Sequence, residues 1–421
     1  METRKPNDPF AALKIRDICY FIASIASAGL ANRAMVVVIG YQIYQITKSP
    51  LALGWMGLVE AIPAISLSLF GGYVADHHDR RSILLITKVV SALCAVFLSF
   101  LSLHLTSANI VWIYVTIFAA GLARGFSDPA HTAFEAQVVP KKLTVNAASW
   151  IGSTWITSSI IGPALVGFSY DLLGVPKTYL ILALFFLLSW ISIFRIAKKP
   201  FVKPAPKEPL FKSIEIGLRF VFKEQALIGS MSLDLFAVFF GGAIALLPIF
   251  ATDILHVGPR GFGLLNAAPS LGALLIMLWS TRHPPIRNAG ANLLFCVTGF
   301  GISMIVFASS KNFILSLLAL IFSGIFDGIS MVIRRSIVRL LSPEHLRGRV
   351  ASVSWIFIGA SNELGAFESG IAAHWLGTIP AVWLGGMVTL FVVSITYIFA
   401  PKLRSLHLDP QEIGPNKNNL Y

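Results

Sequence analysis

Seven ionisable side chains stand inside stretches that otherwise read as apolar: Arg33, Glu60, Arg124, Asp234, Asp327, Glu363 and Glu368. An ionisable group in such surroundings is costly to bury and marks a path for protons, ions or a polar solute. Desolvation makes a carboxylate hold its proton more tightly, and an approaching guanidinium makes it let go. The seven are therefore candidates for coupling or for lining a substrate cavity. An ion pair of Arg124 with Asp327, or with another acid of the chain's second half, that forms between the two halves and breaks in a cycle is one expectation. The alternative is that each charge pairs within its own half and only fixes packing. Asp128 and Glu135, with Pro129 between them, fall at one end of their stretch and read as gate or loop residues. Trp55, Trp150, Trp155 and Trp355 are candidates for stacking on an aromatic solute; a lipid-facing tryptophan is the commoner use.

The elements that carry these residues follow from composition. Of 421 residues, 56% are hydrophobic and 13% charged, with a mean hydropathy of +0.75. A soluble domain has about 25% charged residues, so this chain lacks the polar side chains to cover a water-facing surface. A membrane-crossing helix needs about 20 apolar residues. Twelve stretches qualify, near 17–41, 51–75, 83–104, 110–136, 144–170, 177–196, 228–251, 261–280, 289–309, 313–340, 350–373 and 379–399. The fold class expected is an all-α membrane protein of twelve transmembrane helices. Residues 1–16 are polar and basic and lack the cleavable core of a signal peptide. Cys19, Cys94 and Cys296 are scattered, so neither a disulfide framework nor a metal site is expected.

The chain carries 33 Lys and Arg against 20 Asp and Glu, a formal charge of +13. Lys48, Lys177, Arg260 and Lys311 fall in one set of loops, and Arg33 and Arg124 within spans. The remaining 27 of the 33, Lys88 and Arg334 among them, are assigned to the other set of loops and the tails. This is the positive-inside asymmetry of a membrane protein with both termini in the cytoplasm, and it removes the case for nucleic-acid binding.

The chain also repeats itself. Shifted by 203 positions, Gly121, Gly125, Pro140, Ala148, Gly162, Gly167 and Gly174 meet Gly324, Gly328, Pro343, Ala351, Gly365, Gly370 and Gly377. Shifted by 206, Gly57, Ala61, Pro63 and Arg81 meet Gly263, Ala267, Pro269 and Arg287. Six spans per repeat give two halves of the same orientation. The expected organisation is a cytoplasmic tail (1–16), a six-helix half (17–196), a cytoplasmic linker (197–227), a second six-helix half (228–399) and a cytoplasmic tail (400–421). Within the linker, Lys203 to Pro209 holds three prolines and cannot be helical. After it, Ile214, Leu218, Val221 and Phe222 share one helical face, and Glu215 and Arg219 pair on another. Such a segment reads as a helix lying at the membrane surface, or as a plain lead-in to span seven.

Between spans two and three stand Gly71, Gly72, Tyr73, Val74, Ala75, Asp76, His77, His78, Asp79, Arg80 and Arg81. The run resembles the major facilitator signature G-x-x-x-D-[RK]-x-G-[RK]-[RK]. Gly72, Asp76, Arg80 and Arg81 match it, His77 replaces the first basic residue and Asp79 replaces the glycine. The stretches Ser232–Ala237 and Asn362–Gly370 are similar to the branch of that superfamily containing enterobactin (siderophore) exporters and related drug-efflux proteins. The resemblance implies two pseudo-symmetric halves that expose a central site alternately to each side. It implies that Asp76 caps a contact holding the cytosolic side shut and that Arg80 and Arg81 grip neighbouring helices. Arg80 and Arg81 read as plain topology charges otherwise, and His77 with His78 as a solvated loop.

No G-x-x-x-x-G-K-[ST] P-loop, nucleophile elbow or H-E-x-x-H zinc motif occurs in the sequence, so an enzyme is not expected. The function expected is secondary active transport: proton-coupled export of a siderophore or amphipathic drug-like molecule from the plasma (inner) membrane. The expected partners are that small molecule, protons and the lipid bilayer, with no cofactor, no metal and a monomeric chain. A lipid (lysophospholipid-type) or nutrient facilitator on the same fold is the alternative, and a membrane sensor or enzyme a distant third.

Overall fold

In the computed structural model the described residues are 8–103, 110–199, 210–241, 243–283, 285, 287–343 and 346–408. Among them the chain is helical, with no strand. The helices are α1 (Arg16–Thr47), α2 (Pro50–His77), α3 (Arg80–Leu101), α4 (Ile110–Val138), α5 (Thr144–Arg195), α6 (Leu210–Lys223), α7 (Gln225–Phe240), α8 (Leu247–Ile249), α9 (Gly258–Ser280), α10 (Ala289–Ser309), α11 (Phe313–Leu341), α12 (Arg347–Leu376), α13 (Thr378–Phe399) and α14 (Pro401–Arg404). Among the described residues, ten helical segments are long and apolar enough to cross a membrane. One of the ten contains α5, 52 residues bent where Gly174 takes φ 78°. The 30 residues of α12 are also long enough to cross, but they are too polar to count among the ten.

Gly174 has its counterpart in Gly377, the repeat's equivalent residue, at φ 91° between α12 and α13. A positive φ costs an L side chain roughly 1–2 kcal/mol, so the shared glycine preserves one sharp turn in both copies. The stretch expected as a seventh span is broken: α7 ends at Gly241, and α8, begun at Pro248, runs into a π-helical turn at Phe250–Ile254. Gly and Pro are the residues that interrupt a helical ladder.

The chain forms two compact units. The first comprises residues Met1–Lys48, Met56–Ala205 and Gly258–Ala267; the second comprises Ser49–Trp55, Pro206–Val257 and Ala268–Tyr421. In the first, α1 packs along α5, and α3 against α4 and α5. Phe21, Leu84, Phe134, Tyr179 and Phe186 are its most enclosed large side chains. Polar groups inside are paired across helices. The Tyr179 hydroxyl donates to Gln42 Oε1 at 2.6 Å, and Gln42 donates to Ser102 Oγ at 2.9 Å. Ser24 and Ser189 meet at 2.7 Å. In the second unit α10 packs on α11 and α13, and α7 on α12 and α13, around Leu227, Leu233, Leu293, Ile333 and Val350.

The first and last described segments, from Asp8 and up to Leu408, are tied down. Trp150 Nε1 and Asn146 Nδ2 both donate to the Pro9 carbonyl, at 3.0 and 2.9 Å, and the Ala12 amide donates to Asn146 Oδ1 at 2.9 Å. Asp8 accepts from Lys14, a bond that lowers its carboxyl pKa below the usual value. At the other end Leu403 and Leu408 are buried in the second unit's core, and the Gly290 amide donates to the Leu406 carbonyl at 3.2 Å. The segment after the prolines is helical as α6, with Arg219 on Glu215 at 2.8 Å. Val221 is buried and Gly217 lies against the Arg349 backbone of α12, while Phe222 is exposed. Packing on α12, rather than on lipid alone, therefore holds this helix. The proline run and the Ile214 side chain lie outside the described residues.

The duplicated glycines mark duplicated crossings. A Cβ on Gly121 of α4 would lie 2.6 Å from the Glu60 carbonyl and 2.7 Å from Pro63 Cγ of α2. A Cβ on its counterpart Gly324 of α11 would overlap the carbonyl of Pro269, the counterpart of Pro63, on α9. Small residues let membrane helices approach backbone to backbone. Gly121→Val and Gly324→Val should therefore each cost about 1–3 kcal/mol or more. Gly152→Val, where a Cβ meets nothing within 4 Å, should be neutral. Thermal unfolding of the purified variants followed by size exclusion checks this.

Candidate functional site

The first unit encloses a cavity between α1, α2, α3, α4 and α5. Three of the expected charges line it: Arg33 from α1, Glu60 from α2 and Arg124 from α4. Arg124 Nη1 donates to Glu60 Oε1 at 2.9 Å, and its Nε lies 3.4 Å from Asp128 Oδ2 one turn further along α4. Asp128 is thus a cavity residue rather than a loop residue. Trp155, one of the four tryptophans, is on the same wall.

Two cavity residues escaped the sequence reading. Lys88, assigned there to a loop, is a buried residue of α3, with its ammonium 3.5 Å from Ser127 Oγ. The helix starts where Asp79 caps it, accepting from the Arg81 amide and from the Ser82 hydroxyl. Eight residues at 1.5 Å each then carry Lys88 about 12 Å inward. His131 of α4 lines the same cavity, its ring stacked on Phe21 at 4.8 Å.

The second unit gathers charge differently. Arg334 of α11 forms an ion pair with Asp234 of α7 and lies 3.4 Å from Asp327, two turns before it on α11. Asp234 and Arg334 are 9% and 12% exposed at their side chains, and Asp327 is 38% exposed. The Nε of Arg334 has no hydrogen-bond partner among the described residues. Arg334 too was assigned to a loop. The seven residues that follow it in α11 leave it about 10 Å inside the helix end. The repeat register holds the signal that would have found both groups. At the 203 shift Arg124, Ser127 and His131 meet Asp327, Ser330 and Arg334, so α4 and α11 carry polar faces of the same spacing.

Arg124 thus meets Glu60 and Asp128, and Asp327 meets Arg334. Glu368 of α12 is half-buried beside Ser369, and Glu363 lies one turn before Phe367 on that helix. The Trp55 ring meets Phe367 at 5.0 Å. Trp150 holds the amino-terminal segment, so its indole is committed to structure. The side chain of Trp355 lies outside the described residues.

At the signature loop, Gly72 and Asp76 end α2. Arg80 Nη2 stands 4.0 Å from Asp76 while its Nε donates to the Ala75 carbonyl. Arg81 donates from Nε and Nη2 to the carbonyls of Ile193 and Phe194, at 3.3 and 2.5 Å. A cation at a helix carboxyl end satisfies carbonyls that lack a helical partner. Arg81 therefore grips the end of α5, as the resemblance implies. His77 and His78 each bond a backbone carbonyl one turn back, which leaves their rings committed locally.

Helical units with duplicated crossings and charged interior faces define a polytopic membrane transporter fold. Solved transporters share it. A D-xylose–proton symporter aligns with a TM-score of 0.70 at 15% identity, covering 93% of this chain and 99% of its own. A bacterial homologue of the human lysosomal transporter Spinster aligns at 0.69 and 14%, covering 94% and 99%. The sequence matches the transmembrane secretion effector family over residues 7–418, and the chain belongs to that family of major facilitator transporters. Among its relatives, the multidrug efflux pump Tap of Mycolicibacterium fortuitum is 25% identical over 395 residues, covering 91% of this chain and 95% of Tap. The enterobactin exporter EntS of Escherichia coli K12 is 22% identical over 382 residues, covering 89% and 90%.

The arrangement in the second unit sets a stability expectation. Removing one partner of a buried pair leaves an uncompensated charge and costs about 3–5 kcal/mol. Arg334→Met should destabilise by that amount, and adding Asp234→Asn should recover part of the loss. Asp327→Asn, at a more exposed group, should cost at most about 1 kcal/mol. Denaturant unfolding in detergent of wild type, Arg334→Met, Asp234→Asn and the double variant, read as a double-mutant cycle, measures the pair, and Asp327→Asn is unfolded beside them.

Proposed function

We propose that this chain is a proton-coupled exporter that works by alternating access and moves a siderophore or another amphipathic, drug-like molecule out of the cell. It is not an enzyme. It crosses the plasma (inner) membrane twelve times as a monomer of two six-helix halves (17–196 and 228–399), with both termini in the cytoplasm. The charge asymmetry of the loops supports the orientation, which survives the transfer of Lys88 and Arg334 to helix interiors. Relatives described as a multidrug efflux pump and an enterobactin exporter support export.

The observation that carries proton coupling is Arg334 held between Asp234 and Asp327. Two carboxylates share one guanidinium at ion-pair distance, with Arg335 acting on Asp327 from further away, and a proton is the smallest ion that can take the guanidinium's place on either carboxylate. Protonating Asp234 releases Arg334 toward Asp327; deprotonation pulls it back. That alternation biases one helix, α7, against another, α11, which is the kind of two-state element a transport cycle needs.

Cells carrying the protein should accumulate less of an exported substrate than cells without it, and a protonophore should abolish the difference. If the protonophore leaves accumulation unchanged in cells carrying the protein, proton coupling is wrong. Asp234→Asn should lose uphill, proton-driven efflux at least tenfold while keeping substrate exchange down a gradient. Counterflow in proteoliposomes separates the two activities.

A further inference from the structure

Lys88 is a buried lysine of the first unit. It is 7% exposed on the wall of the cavity, and among the described residues no carboxylate lies within ion-pair distance of it. Among the described residues its hydrogen-bond partner is the neutral Ser127 hydroxyl, at 3.5 Å. Asp128 attracts it from beyond ion-pair distance and is engaged by Arg124, as is Glu60. Arg33, Lys88 and Arg124 bring basic side chains to the cavity wall, and its two carboxylates, Glu60 and Asp128, are both engaged by Arg124. His131 adds no negative charge. Burying an ammonium against a single weak acceptor is costly, and that cost is removed when an anion enters. The rest of the wall suits an organic body: Met35, Ile117 and Phe186 are apolar and Trp155 offers a ring.

We propose that Lys88 and Ser127 form an anion subsite that takes the carboxylate or phenolate of an aromatic organic acid, whose ring lies along the apolar wall. The physiological role of this subsite rests on the export reading above, and narrows its substrate class from amphipathic molecules at large to acids. The lysine supplies the point charge, the serine hydroxyl donates a second hydrogen bond, and Arg124 keeps the cavity's own carboxylates from competing.

Three probes with one ring system and different charge test it on the purified full-length protein: 1-naphthoate, 1-naphthamide and 1-naphthylmethylammonium, by isothermal titration. Wild type should bind naphthoate at least tenfold more tightly than the other two. Lys88→Gln should lose about tenfold in naphthoate affinity, since a hydrogen bond to a charged group contributes on that scale. It should leave the amide unchanged, and Lys88→Arg should restore most of the loss. Ser127→Asp keeps Lys88 paired, and so guards against a Gln variant that does not fold. It should abolish naphthoate binding while raising affinity for the amine. Equal binding of the three probes by wild type, no binding of naphthoate, or unchanged naphthoate affinity in both Lys88→Gln and Ser127→Asp would each overturn the subsite. Flux in proteoliposomes separates the two readings. Naphthoate bound through Lys88 but not moved sinks export and leaves the subsite standing. Naphthoate moved equally by wild type and Lys88→Gln sinks the subsite and leaves export standing.

Discussion

A charge placed within a bundle of apolar helices must meet an opposite charge, satisfied dipoles or a polar cavity, because lipid offers it nothing. The two units meet this constraint in different ways, and their chemistry follows from the difference. In the first, five of the charged groups open onto one cavity, and a single arginine, Arg124, ties two carboxylates at once. In the second, one arginine is clamped between two carboxylates with little open space beside it. The first arrangement suits a solute of some size; the second suits a proton.

Both arrangements rest on helix crossings that the repeat preserves. Gly121 against α2 and Gly324 against α9 bring α4 and α11 close enough to their neighbours for their polar faces to be enclosed. A larger residue at either place would push the helices apart, and the charges on those faces would lose the surroundings that define them. The turns at Gly174 and Gly377 do the same for the following helices. Glycine therefore sets the geometry in which arginine, lysine and aspartate act, without taking part in the chemistry.

The signature segment shows how a departure from a pattern can still be physically sound. Asp79, standing where the pattern has glycine, caps α3 through its own carboxylate. That cap fixes where α3 begins, and so fixes the depth of Lys88. Arg81, retained from the pattern, closes the carboxyl end of α5. A substitution in a loop is thus linked to the position of a buried cation two turns into the next helix.

The membrane class, the repeat and the glycine-marked crossings were legible in the sequence, because hydropathy and register are properties of neighbours along the chain. Arg33, Glu60 and Arg124 were found as cavity charges for the same reason: each interrupts an apolar run. Lys88 and Arg334 were not found, since each lies near a run of basic residues and counts as a loop charge until the helix boundary is known. Trp150 was a candidate for stacking or for facing lipid, and nothing local shows that its indole holds the Pro9 carbonyl. Partner choice was the part only the tertiary structure decided. Which carboxylate an arginine meets depends on helix rotation and depth, set by packing among helices far apart in sequence. The sequence determined that charges interrupt apolar spans; the fold determined that Arg124 answers Glu60 and Asp128, that Arg334 answers Asp234 and Asp327, and that Lys88 is left facing a cavity.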